Sequence, residues 1–144
     1  MISRSNKPDS PERRTAAREF AIELARMAAN TRCTNVMVID VTGLSPVTDF
    51  FVVGTGTSNR QMRSVADDAV EFAKPKGFAP LSVSGLDSST TNWILADFVD
   101  VIFHVFSEEA RLYYDIENLW AEAPHVEWSD GKMAESRKAT VQKS

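Results

Sequence analysis

Asp97, Asp100, His104 and Glu108 fall within twelve residues of one another. Carboxylates that converge within a few ångströms can hold divalent cations and assist phosphoryl transfer. The spacing opposes that use. Asp97 and Asp100 flank a tight turn, where aspartate bonds to local backbone. Asp100 and His104 share one face of a strand, yet four strand residues separate their Cα atoms by about 13 Å. They cannot ligate one metal side by side. His104 reads as a histidine satisfied at a sheet surface or as a contact on a binding face, and the sequence leaves both open. A single cysteine, Cys33, excludes a disulfide framework and any Cys-based zinc site. It stands at a helix end and reads as structural, since a reactive thiol needs an accessible, electropositive setting. The residues imply no metal and no cofactor.

A second candidate is the Gly-rich run Gly54-Thr55-Gly56-Thr57-Ser58-Asn59-Arg60-Gln61. Backbone N–H groups at a helix start can cradle phosphate. This run is neither GxxxxGK[ST] nor GxGxxG, and no lysine is placed to reach a β-phosphate. It reads as a flexible turn followed by a capping box from Ser58 to Gln61. Among the three tryptophans, Trp93 borders the polar stretch 87–92 and opens a strand, which leaves it partly exposed. Exposed aromatics of this kind often carry interface binding energy. Trp120 fits a helix stripe and reads as core. Trp128 has no assignment from the sequence.

The elements that position these residues follow from periodicity. Phe20, Leu24, Met27 and Ala28 predict an amphipathic helix over 15–31. Val36–Val41 is a β-branched strand covered on both faces. Asp49–Thr55 is a second strand, and the short link requires an antiparallel pair if the two are neighbours. A helix follows Ser58 with Met62, Val65, Ala69 and Phe72 on one face, ending near Lys74 before Pro75. A strand at 81–84 returns parallel to the second by a right-handed crossover. Trp93–Phe98 and Asp100–Phe106 form an antiparallel hairpin. A last helix opens at Glu108–Glu109, with Leu112, Ile116, Leu119 and Trp120 as its apolar stripe. This order is a mixed-sheet α/β or α+β domain.

The chain of 144 residues, 43% hydrophobic and 25% charged, is one ordinary globular domain. Residues 1–14 hold four basic and two acidic side chains and little to bury, and are expected to be a disordered tail. Residues 129–144, with the same count, are expected to be a flexible charged one. The middle, 15–128, holds eight basic and sixteen acidic residues. Such a body repels phosphate and favours a basic protein partner over nucleic acid. A disulfide-free chain with no apolar leader or membrane-length run suits the cytoplasm.

Three motifs in order carry a resemblance. They are Asp49–Gln61 (DFFVVGTGTSNRQ), Trp93–Phe106 (WILADFVDVIFHVF) and Arg111–Trp120 (RLYYDIENLW). Together they resemble the ribosomal silencing factor family, RsfS or Iojap, over roughly 15–128. The resemblance implies a mixed five-stranded sheet flanked by helices, with a nucleotidyltransferase-like topology that lacks the active site. It implies a non-enzyme that binds a basic protein of the large ribosomal subunit at the inter-subunit face. Docking there blocks subunit joining and represses translation under nutrient limitation. Free members are commonly homodimers. The residues carried over as partner contacts are Trp93, Asp97, Asp100 and His104. The basic tails lie outside the resemblance and are the segments able to touch rRNA. The alternative is a degenerate nucleotide-binding protein or enzyme of the same topology. One departure stands out: the family usually has Gly where this chain has Val99. Gly permits positive φ, which strains a β-branched residue.

Overall fold

The computed structural model describes residues 10–88 and 90–129. Helix α1 spans Pro11–Asn30. Ser10 caps it by accepting the Arg13 N–H at 3.1 Å, Pro11 sits at the first turn, and Glu12 complements the dipole. The helix therefore begins four residues before the expected boundary. This corrects the tail reading for residues 11–14: their polar composition is a helix start. Residues 1–9 and 130–144 lie outside the described residues. Ala17, Phe20, Ala21, Leu24, Ala25 and Ala28 form the buried stripe.

Strand β1 (Thr34–Asp40) pairs antiparallel with β2 (Phe50–Thr55), as the short link requires. The register shifts between Thr34 and Met37, where Asn35 takes φ 49°. Helix α2 (Asn59–Ala73) follows its Ser58 cap and ends in a 3₁₀ turn at Lys74–Lys76. Then come β3 (Ser82–Ser84), β4 (Trp93–Asp97) and β5 (Val101–Phe106). Helix α3 (Glu108–Tyr114), the one-turn α4 (Ile116–Leu119) and β6 (His125–Val126) complete the chain.

The sheet is mixed and six-stranded, in the order β3-β4-β5-β2-β1-β6. It gains one strand over the expected five, the two-residue β6 on β1. The hairpin β4–β5 is antiparallel as expected. The parallel partner of β2 is β5, not the strand at 81–84. β3 pairs antiparallel with β4 at the sheet edge. It runs in the expected direction, but β4 and β5 insert between it and β2.

Helices α1 and α2 seal one face of the sheet over Val38, Val52, Ile94, Phe103 and Val105. Phe20 stacks on Phe78 at 4.2 Å and meets Phe98 edge-on at 5.4 Å. Trp128 belongs to this layer. It is buried, and its indole N–H donates to the Val36 carbonyl at 3.1 Å. The second face holds Ile39, Phe51, Val53, Ile102 and Phe106 under the smaller α3–α4 layer. The final segment is not one helix. Asp115 takes the left-handed conformation (φ 48°, ψ 53°) and divides it. The expected stripe holds at Ile116, which is buried, and at Trp120, which packs against this layer, but fails at Leu112 and Leu119, which point outward, while Ala110 and Arg111 are buried.

Candidate functional site

The β4–β5 hairpin sets Trp93 opposite Phe106 and Leu95 opposite His104. Trp93 and His104 are thus diagonal neighbours on one face, a separation aromatic side chains can span. The Trp93 indole N–H donates to His104 Nδ1 at 3.2 Å. That bond fixes the neutral imidazole with its proton on Nε2. Burial lowers the His104 pKa to about 4, so the ring stays neutral at physiological pH. Its Nε2 is buried and has no partner among the described residues. Phe51 meets the ring edge-on at 4.8 Å, and Phe106 lies parallel to it at 6.0 Å. His104 therefore belongs to an aromatic bed, neither a metal ligand nor a general base in contact with solvent. Trp120 closes the bed from α4, edge-on to Phe51 at 5.2 Å.

This face is only partly covered. Along β4, Ile94 and Ala96 are buried against the α1–α2 layer, whereas Trp93, Leu95 and Asp97 remain half-exposed. Tyr114 leans on Trp93, with ring centroids 4.7 Å apart. Arg111 anchors α3 to the sheet. Its Nη1 donates to Thr55 Oγ1 at 2.8 Å and its Nε to Glu117 at 3.0 Å, and Nη2 is a second buried donor without a partner among the described residues. Burial pushes the Glu117 carboxyl up, but the Arg111 hydrogen bond and charge outweigh it and hold the pKa below its usual range.

The two aspartates separate at the turn. Asp97 Oδ1 accepts the Val99 N–H at 2.8 Å, the local turn bond expected from its position. Asp100 does not share a face with His104. Val99 has φ 76°, and the Asp100 N–H donates to the Phe98 carbonyl at 3.0 Å, a three-residue turn that reverses the chain before β5 begins. The Asp100 carboxylate is carried to the α1 layer. There Arg13 grips both oxygens, Nε to Oδ2 at 2.8 Å and Nη2 to Oδ1 at 2.7 Å. Asp100 is 7% exposed. The structure thus brings Trp93 and His104 together, with Asp97 two residues beyond Leu95 on the same face of β4, and takes Asp100 out of the group. Sequence reasoning missed Arg13, which lies 87 residues from its partner. It also missed Tyr114, which helical spacing from the buried Ala110 and Arg111 places toward the sheet.

The remaining candidates stay structural. At Gly56 a Cβ would come within 2.2 Å of Met62 Cγ, so the turn into α2 requires glycine. A cleft of about 320 Å³ beside it is bordered by Glu108 and Glu109, whose charge opposes phosphate. Gln61 Oε1 accepts from the Thr57 N–H at 3.1 Å, and Gln61 Nε2 donates to the Thr31 carbonyl at 2.8 Å. Burial raises the Cys33 thiol pKa, and the hydrogen bond from Gln61 only partly offsets it. Among the described residues, no three His, Cys, Asp or Glu side chains are grouped to hold a metal, and no helix is long and apolar enough to cross a membrane.

Comparison with known proteins agrees with the fold. Residues 14–144 match the family described as ribosomal silencing factor during starvation. The chain is 32% identical over 109 residues to ribosomal silencing factor RsfS of Halalkalibacterium halodurans, covering 73% of this chain and 92% of that protein. It is 33% identical over 93 residues to the Bacillus subtilis factor of the same name, covering 65% and 77%. A crystal structure of a Chromobacterium violaceum protein superposes with a TM-score of 0.65 at 28% identity, covering 81% of this chain and 92% of that one. The aromatic hairpin, the strained turn and the broken terminal helix are therefore features of a chain that belongs to the ribosomal silencing factor (RsfS/Iojap) family.

Proposed function

We propose that this chain represses translation by docking, without chemistry of its own, on a basic protein of the large ribosomal subunit at the inter-subunit face. The occupied face then prevents the small subunit from joining when nutrients are scarce. One observation carries the reading. The half-exposed Trp93 lies over a neutral aromatic bed at one end of β4, while Asp97 offers a carboxylate on the same face at the strand's other end. Trp93 supplies the apolar anchor, Asp97 meets a lysine or arginine, and His104 holds the indole in place from beneath. Asp100 shapes the turn that presents Asp97 and does not touch the partner. The relatives' designation as silencing factors supports a regulatory role over catalysis.

Light scattering of mixed small and large subunits tests the reading. The protein should abolish the joining signal. Trp93→Ala should weaken docking by about 2 kcal/mol, roughly thirtyfold, and shift the inhibition curve accordingly. Normal joining at saturating protein would refute the blocking mechanism.

A further inference from the structure

The outer surface of α3 is apolar where a surface helix is usually polar. Tyr113 is 81% exposed, Leu112 83% and Tyr114 42%. These side chains are not scattered. Tyr114 packs on Trp93 at 4.7 Å, and Tyr113 meets Tyr114 edge-on at 5.0 Å. A continuous row of rings thus leads from the half-buried anchor to solvent. Tyrosine gives large, rigid contact area at low entropic cost, which suits recognition.

The rim of the row is acidic. Glu108, Glu109 and Asp115 are exposed around it, and the sole basic residue of 108–119, Arg111, is buried and paired with Glu117. We propose that the docking face extends from Trp93 along α3 through Tyr114 to Tyr113, and that its occupant is a cationic protein surface. Lysine or arginine side chains of that surface lie over the tyrosine rings and against the carboxylate rim. This inference rests on the docking reading above and adds α3 to it. RNA is disfavoured because the rim repels phosphate. A second copy docked by a two-fold contact is disfavoured because it would set the same carboxylates against each other.

The experiment measures binding of the full chain to salt-washed large ribosomal subunits. Tyr113 is 81% exposed and among the described residues makes its ring contact only with Tyr114, so Tyr113→Ser and Tyr113→Lys should both fold. We expect about tenfold weaker binding for Tyr113→Ser, a larger loss for Tyr113→Lys, and near-normal binding for Tyr113→Phe. Arg18→Ser, on the exposed side of α1, should change nothing. Loss with Trp93→Ala but not with either Tyr113 variant would overturn the extension and leave the docking reading intact. No effect from any of them would overturn both. Sedimentation of the free protein covers the second-copy outcome. A dimer broken by Tyr113→Lys, with subunit affinity unchanged, would assign the row to self-association and overturn the proposal. Tyr113-dependent binding to deproteinised rRNA would overturn the partner class.

Discussion

On the α1–α2 side of the sheet, Phe20, Phe98 and Phe103 are each no more than 2% exposed, and the ring of Phe20 touches aromatic neighbours on both sides. On the α3–α4 side, across the same strands, Met37, Trp93 and Leu95 remain half-exposed. Two buried donors on that side, His104 Nε2 and Arg111 Nη2, have no partner among the described residues. β4 shows the contrast within one strand, since its alternate residues belong to the two faces. The first face spends its side chains on packing. The second leaves apolar area uncovered and polar groups unmatched, which lowers stability and leaves surface for a partner. Its smaller cover follows from length: α3 and α4 hold seven and four residues, against 20 and 15 in α1 and α2.

If the faces differ in this way, removing Asp100 should damage folding, not recognition. Asp100→Ala leaves the Arg13 guanidinium at 14% side-chain exposure without its bidentate partner. Breaking such a pair from one side should cost about 3 kcal/mol, because the remaining charge stays desolvated. Urea denaturation measures the loss. Subunit affinity of the folded protein should remain within a factor of two or so, well short of the tenfold that 1.4 kcal/mol represents. A large affinity loss with unchanged stability would place Asp100 on the docking face and merge the two regions.

On the open face the sensitive group is His104. Its pKa is about 4 in the folded chain and 6.5 as the ordinary value. The unfolded chain therefore binds the extra proton first as pH falls. The stability contributed by the neutral buried ring is fully present above about pH 6.5 and is lost progressively down to about pH 4. The loss should approach 3 kcal/mol at 1.36 kcal/mol per pKa unit. His104→Phe should flatten that part of the pH–stability curve. At pH 7 the same substitution removes an orphaned donor but strands the Trp93 N–H, so its effect there should be small. An unchanged pH profile would mean that His104 is not the buried neutral group it is taken to be.

Much of the sealed face was legible from local rules. The periodic apolar positions of α1 and α2, the Ser58 cap and the two antiparallel pairs each follow from a short stretch of chain. Ser10-Pro11-Glu12 was also a readable helix start, masked by a composition that suits a tail. The parallel pairing of β2 with β5 was not readable, since their partnership crosses α2, β3 and β4 and no local signal encodes it. The Arg13–Asp100 pair was hidden for the same reason. On the open face, Trp93 was identified from its place beside a polar loop. The α3 row was misread because a 3.6-residue stripe assumes an unbroken helix, and Asp115 in the left-handed region breaks it. Aspartate tolerates that conformation better than most residues, so the break had a weak signal of its own.

The finest comparison concerns the turn where the two faces part. Val99 holds φ 76°, a region costing a non-glycine residue about 1–2 kcal/mol and least suited to a β-branched one. Three bonds keep it there: Asp97 Oδ1 to the Val99 N–H, the Phe98 carbonyl to the Asp100 N–H, and the Phe98 N–H to the Val101 carbonyl. The Arg13 grip on Asp100 adds a fourth constraint from α1. The strain is thus balanced by contacts on the sealed face, while the turn presents Asp97 to the open one. Val99→Gly should relieve it. Glycine gives back about 0.5–1 kcal/mol through its freer unfolded chain, so the net gain should be about 1 kcal/mol, or a few degrees in Tm. Because the turn already has the geometry glycine prefers, subunit affinity should not change. A drop in Tm would show that the isopropyl group of Val99, a residue that lines one groove with Phe78, Ala79 and Phe98, packs well enough to outweigh its own strain.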